Sequence, residues 1–287
     1  MPTPLADAAI NVGSVAAVSE NAASSQPQPR RRRRWRAAGH LATIALPIAL
    51  SLFVLVAWEF IVRVAKVPPA ILPPPSAIFE QLTTHYALLL KHAVPTTLET
   101  LLAFGLSIPL GVFIAAVMTW SPVINKAVYP NVIFFQLIPK IALAPLFIVW
   151  LGIGLPSRTT FSIFISFFPI LVATAAGLQS VPRDMLRLCR SVGASDWQVL
   201  VHVRFPTALP FLFSGMKVAV TLSIIGIVVG EFIASQRGLG YLILFASSRL
   251  QTDLSLACIA VLCAVGLGLY GLVVLSERVA MRWYGDR

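Results

Sequence analysis

Polar side chains inside long apolar stretches are the first candidates for chemistry, because placing them in hydrocarbon is costly. Lys140 is one. It closes the run Gln136-Leu137-Ile138-Pro139-Lys140, and a second proline follows at Pro145. Two prolines so close should break or bend a helix and free backbone carbonyls. Gln136 and Lys140 could then face a polar path and attract an anion; alternatively, Lys140 pairs with a carboxylate at the bend. Glu231 falls near the outer end of a later apolar run. There it either snorkels to the interface or lines a mouth or a subunit seam. Lys217, Glu59 and Glu99 sit near the ends of apolar runs and read as interface anchors. His40, His85, His92 and His202 are scattered, and Cys189, Cys258 and Cys263 form no C-x-x-C. No metal site, disulfide framework or catalytic cluster follows from them.

A second group of residues carries shape rather than reactivity. The stretch from Ser180 to Pro210 reads SVPRDMLRLCRSVGASDWQVLVHVRFPTALP. Pro182 and Asp184 suit a helix N-terminus. Met185, Leu186, Leu188, Cys189 and Val192 make one apolar face, and Arg183, Arg187 and Arg190 make the other. Gly193 stands where a left-handed helix stop would fall. Ser195-Asp196-Trp197-Gln198 has the capping-box pattern, Ser followed by Gln three residues on. A second short helix should run to about Arg204 and be ended by Pro206 and Pro210. The segment is either an amphipathic connector resting on the lipid interface or a docking element for a cytoplasmic partner.

The elements that position these residues follow from composition. The chain has 287 residues, of which 57% are hydrophobic and only 11% charged, with a mean hydropathy of +0.85. A soluble globule cannot hide that much apolar surface, so the chain is an all-α polytopic membrane protein. Soluble enzyme, disordered protein and disulfide-rich secreted domain are excluded. The net charge of +11 sits at the ends and loops of the apolar runs, so it points away from nucleic acid. Windows of about 20 apolar residues give six spans at 41–62, 97–120, 127–152, 159–178, 211–234 and 255–276. With the N-terminus inside, 14 Lys/Arg fall in inner regions and six in outer ones, namely Arg63, Lys66, Lys91, Arg158, Arg237 and Arg249. The positive-inside rule then puts both termini in the cytoplasm. Residues 1–36 read as a disordered basic cytoplasmic tail, with Arg30 to Arg34 and Arg36 anchoring the first span, and 37–287 as the membrane domain. In the outer loop, Ser76 after Pro73-Pro74-Pro75 could cap a short surface helix.

The segment around Gly193 resembles the glycine-centred coupling signature of ABC importer permeases. Gly193 matches its central glycine. Ala194, Ser195 and Trp197 match common neighbours, and Phe205-Pro206 and Leu209-Pro210 match the closing prolines. Arg187 stands where that family has Glu, and Leu188-Cys189 where it has two Ala. Leu72-Pro73-Pro74-Pro75-Ser76, Pro145-Leu146-Phe147 with Trp150-Leu151-Gly152-Ile153-Gly154, Gly230-Glu231-Phe232-Ile233, Gly238-Leu239-Gly240-Tyr241-Leu242 and Gln251-Thr252-Asp253 are similar to motifs of the nitrate/sulfonate/taurine subfamily. The resemblance covers about residues 40–280.

That resemblance implies a type I importer permease fold, with six transmembrane helices and a coupling helix between the fourth and fifth. It implies a bacterial inner-membrane subunit paired as a homodimer, two cytoplasmic ATPase subunits, and an extracytoplasmic binding protein. ATP and Mg would be bound by the partner ATPase and no cofactor by this chain. The sequence agrees in holding no G-x-x-x-x-G-K-[ST] and no Gly followed by Lys, so the chain reads as a non-enzyme. The coupling residues would be Arg187, Arg190, Gly193, Ala194, Ser195, Asp196, Trp197, Pro206 and Pro210. The path candidates are Gln136, Lys140 and Glu231. The solute would be a sulfonate, taurine or nitrate; relatives also carry vitamin precursors of hydroxymethylpyrimidine or riboflavin type. A stand-alone secondary transporter would favour an internal repeat, which the halves do not show. A membrane-embedded enzyme would need a cluster of Asp, His or Cys, and Asp184, Asp196 and Asp253 stand apart.

Overall fold

The computed structural model describes residues 32–285; the expectation for the tail at 1–31 lies outside them. The chain divides into two units, Met1–Ala57 and Trp58–Arg287. Over its described residues the first unit is the amino-terminal part of helix α1 (Arg32–Val64). Outside the tail, the order is α2 (Pro75–Thr84), α3 (Tyr86–Trp120), α4 (Pro122–Leu137), a short 3-10 turn (Lys140–Leu143), α5 (Ala144–Leu151), α6 (Leu155–Gln179), α7 (Arg183–Ser191), α8 (Asp196–Val199), a π turn (Leu200–Arg204), α9 (Phe205–Ala234), α10 (Leu239–Ser248) and α11 (Thr252–Gly285). No strand is present among the described residues. Five helices are long and apolar enough to cross a membrane, or six when the α4/α5 pair counts as one bent span. The expected six spans and all-α class are therefore present.

Helices α6 and α9 make the most extensive pairing, and α3 packs against α6 beside them. In lipid no hydrophobic force draws helices together, so small residues that let backbones approach do most of the work. A Cβ on Gly226 would lie 2.7 Å from the Cα of Ser162, and one on Gly230 2.7 Å from Cγ of Arg158. The spacing of these two glycines predicts close helix contact, and the contact is between α9 and α6. Ser162 Oγ and Ser223 Oγ meet at 2.9 Å across the same seam, and Ser223 Oγ donates to Thr100 O of α3. Phe104, Ile170, Leu212, Val220 and Ile224 fill the space around them.

Several boundaries differ from the hydropathy reading. Helix α3 begins at Tyr86 rather than 97, because Lys91 and His92 depress hydropathy without breaking a helix. Its first turns pack Leu89 and Ala93 against Leu239, Leu242 and Ala246. That contact explains α10, which no 20-residue window reveals. Ser76 does not cap α2: the N-cap is Pro74, with Pro75 in the first turn. Ser76 N–H and Oγ instead donate to Glu59 at 3.0 and 2.9 Å.

Pro206 and Pro210 do not end the helix that starts at Asp196. The helical run continues from Asp196 to Ala234. Proline removes the N–H that would bond four residues back. The π turn absorbs this: Phe205 N–H reaches back five residues to Leu200 O, and Pro206 then sits in the first turn of α9, where no such bond is needed. The short second helix of the segment is thus rigidly continuous with a span.

Candidate functional site

The helix–turn–helix at residues 180–210 forms as its residues dictate. Helix α7 ends in a Schellman motif: Gly193 adopts φ +73°, its N–H donates to Arg190 O, and Ala194 N–H donates to Cys189 O. Only glycine adopts that backbone without strain. Ser195 Oγ then accepts from Gln198 N–H at 3.3 Å while Gln198 Oε1 accepts from Ser195 N–H at 2.8 Å. The capping box is complete, and Asp196 follows it in the first turn of α8. Both helix ends at the turn are therefore fixed by hydrogen bonds.

What the segment presents outward is equally defined. Arg187, Arg190, Ser195, Asp196 and Trp197 are exposed and Ala194 is half-buried. Arg187 Nη1 lies 3.4 Å from Asp184 Oδ1 in an open i,i+3 pair, worth little in water. Met185, Leu188 and Val192 are exposed too, at 49, 63 and 74%. Leu186 and Cys189 are half-buried, so the apolar face of α7 is only partly covered among the described residues. Trp197 lies with its ring 6.4 Å from Trp120 at the end of α3. Together with Val117, Leu200 and Phe205 these tryptophans wall an apolar cleft of about 590 Å³. Pro206 is half-buried and Pro210 exposed, both on the α9 side of the π turn.

The path candidates do not meet at one point. The chain bends by 85° between α4 and Lys140–Leu151, so the expected break at Pro139 is present. Gln136 is exposed at the end of α4. Lys140 is half-buried at the elbow, and its Nζ lies 4.5 Å from the ring centre of Phe168. A carboxylate partner for Lys140 is absent among the described residues; the aromatic face takes that place. Lys217 is paired with Glu277 at 2.6 Å, joining α9 to α11.

Glu231 and Glu99 differ from the snorkelling expectation. Glu231 is 1% exposed. Its Oε1 accepts from Thr96 Oγ1 and its Oε2 from Gly240 N–H, both at 2.7 Å. Leu239 N–H donates to Thr96 Oγ1 at 2.8 Å. The carboxylate thus caps the N-terminus of α10, where partial positive charge favours an anion. A Cβ on Gly238 would lie 2.0 Å from Glu231 Oε1, so the turn needs glycine there. Glu99 is buried as well, in a bidentate pair with Arg158: Nη2 to Oε1 at 2.7 Å and Nε to Oε2 at 2.8 Å. Arg158, counted above as an outer-loop charge, is 4% exposed. Sequence order hides this pair, because its members lie on α3 and α6. Two carboxylates and one guanidinium within three neighbouring helices were the available signal, and no sequence spacing connects them.

Residues 107–280 match the family described as the binding-protein-dependent transport system inner membrane component. A probable ABC transporter permease of Haemophilus influenzae is 36% identical over 78% of this chain and 91% of its own. The chain belongs to this permease family. The riboflavin transport system permease of Chloroflexus aurantiacus is 35% identical, covering 88% of this chain and 92% of that protein. The taurine transport system permease of Escherichia coli is 30% identical, covering 89% and 95%. A solved chain of the methionine ABC transporter, in an inward-facing conformation, superposes with a TM-score of 0.59 at 19% identity, covering 67% of this chain and 96% of that one. At that identity the likeness shows the fold, which is the type I importer permease fold. For this permease the family places the chain in the inner membrane as a multi-pass subunit of a binding-protein-dependent system.

Proposed function

We propose that this permease forms, as a homodimer, the solute path of an ATP-driven importer. Two ATPase subunits dock at the helix–turn–helix of residues 180–210, and an extracytoplasmic binding protein delivers the solute at the opposite end. ATP and Mg belong to the ATPase. The single observation that carries this reading is the exposed, doubly capped α7–α8 element running without a break into span α9. An element of that kind transmits displacement, because caps at both sides of the glycine turn stiffen it. Its uncovered Met185, Leu188 and Val192 supply an apolar face for a groove, and Arg187 and Arg190 supply charge-assisted contacts to acidic residues. Both termini then lie in the cytoplasm.

The test is co-purification in detergent from the native membrane, comparing wild type with Gly193→Pro. Proline supplies neither φ +73° nor the N–H that bonds Arg190 O. The wild type should bring down an ATPase subunit and the variant should lose it while still inserting. An ATPase that accompanies both forms equally moves the docking site elsewhere; none with either, even after cross-linking, defeats the importer reading.

For the solute, sulfonate, taurine or nitrate is supported by half-buried Lys140 at the elbow, with Gln136 exposed at the end of α4 on the other side of the bend. Lys91 and Arg237 also rim a cavity of about 520 Å³ at the end opposite the coupling segment. A vitamin precursor of riboflavin or pyrimidine type is the second reading. Identity to the riboflavin permease, at 35%, exceeds that to the taurine permease, at 30%.

A further inference from the structure

Beside the rim of Lys91 and Arg237 lies a second cavity, of about 440 Å³, enclosed by α2, the first turns of α3, α10 and the start of α11. Its chemistry is different. The residues that matter are Gln81, His92, Tyr241, Phe245, Gln251 and Asp253. Tyr241 stacks on the His92 ring at 6.0 Å with the planes 18° apart, and Phe245 follows at 5.8 Å. The three rings form a slab along one wall. The slab is held from behind, because Glu231 caps α10 and His92 Nδ1 lies within hydrogen-bonding distance of Gly238, 3.2 Å from its N and 3.1 Å from its O.

The opposite character comes from Asp253. One of its oxygens accepts from Gln81 Nε2 at 2.6 Å and the other from Leu254 N–H at 2.9 Å. An ionised carboxylate has about four acceptor sites, so lone pairs remain for a donor from the cavity. Gln251 lines the cavity and is exposed, and its side-chain amide has no hydrogen-bond partner among the described residues. No Lys or Arg lines this cavity. Arg249 lies over Phe245, 4.2 Å from the ring centre, outside the lining. His85 lines the cavity as well as His92, so an anion would meet a carboxylate and two imidazoles but no lining Lys or Arg here. A purely apolar solute would strand the polar groups, which is costly. A flat ring satisfies both walls, stacking on the slab and giving a ring N–H to Asp253.

We propose that this cavity is a binding site for a planar nitrogen heterocycle that carries N–H donors. The proposal rests on the importer reading for its purpose, and on the second of the two solute classes. It makes Tyr241 and Asp253 the residues that select the ring over a sulfonate.

The test uses the full chain in lipid nanodiscs, without ATPase, titrated with riboflavin. Riboflavin is a fluorescent heterocycle whose emission falls when it stacks on aromatic side chains. Saturable quenching is expected for the wild type. Tyr241→Phe should bind as the wild type does. Tyr241→Leu and Asp253→Asn should each weaken binding roughly tenfold, the scale of one lost stacking or hydrogen-bonding contact. Gln251→Ala, on the exposed rim, should weaken it less with no change in Tm. Uracil should displace the flavin and taurine should not. Absent or non-saturable quenching, equal affinity in Tyr241→Leu with unchanged Tm, or displacement by taurine would each overturn the proposal. Gly193→Pro separates the two readings, since it should bind riboflavin normally while losing the ATPase. Binding without any ATPase partner would leave the cavity standing and the importer reading refuted.

Discussion

The Arg158–Glu99 pair is buried on both sides, with side-chain exposures of 5 and 4%. Its Nη1 also reaches Ala234 O at 3.4 Å, so one guanidinium ties α3, α6 and the end of α9. Removing one member of a buried pair leaves an uncompensated charge and costs about 3–5 kcal/mol, whereas replacing both by apolar groups of like size is near neutral. Arg158→Met alone should therefore lower the thermal midpoint in detergent strongly, and Glu99→Leu with Arg158→Met should recover most of the loss. If the double variant is as unstable as the sum of the singles, the pair is not the source of the effect. At this scale the sequence names ionisable residues in spans but not their partners. Glu231 carries the same lesson: its type marks it as important, and only the fold shows that it caps α10.

At the scale of elements, the break between α4 and α5 illustrates what proline does where no partner bond is available. Ile138 is extended and Pro139 leaves the helical region, with φ −64° and ψ 86°, and the chain turns by 85°. Lys140 is held in that elbow over Phe168. If it serves an anionic solute, Lys140→Ala should reduce taurine uptake by whole cells at least fivefold, at unchanged protein level; a cation near an aromatic face is worth only about 0.5–2 kcal/mol, so folding should survive. Unchanged uptake would make Lys140 structural and favour the heterocycle. The prolines at 206 and 210 teach the reverse. They look like helix stops in sequence, yet five-residue bonding at Leu200–Arg204 carries the helix into α9 past Pro206, and α9 continues through Pro210.

At the scale of the whole molecule, the two ends differ in kind. One end carries the exposed α7–α8 element, and the other carries the Lys91 and Arg237 rim and the Tyr241 and Asp253 cavity. Counted as one span, the bent α4/α5 pair takes the chain from beside Trp120 to the turn before Leu155, and the proposed topology then has both termini on the ATPase side. Alkaline phosphatase fused after Ala70 or Arg249 should thus be active, and fused after Gly193 or at the carboxyl end inactive, with a fluorescent-protein fusion giving the reverse. Activity after Gly193 would invert the topology and remove the docking site from the ATP side. The sequence by itself determined what is local or periodic. Apolar runs gave the spans, Gly193 and Ser195-x-x-Gln198 gave the turn and its cap, and Gly226 with Gly230 gave a close helix face. These rest on neighbours within about one helical turn, which the chain order preserves. Tertiary structure alone decided the Arg158–Glu99 pair, the Glu231 cap, the ten-residue α10 and the ring wall of His92, Tyr241 and Phe245. The buried pair, the Glu231–Thr96 contact, the seat of α10 on α3 and the stacking of Tyr241 on His92 join residues far apart in the chain, and packing in lipid, not spacing, chooses which of them meet.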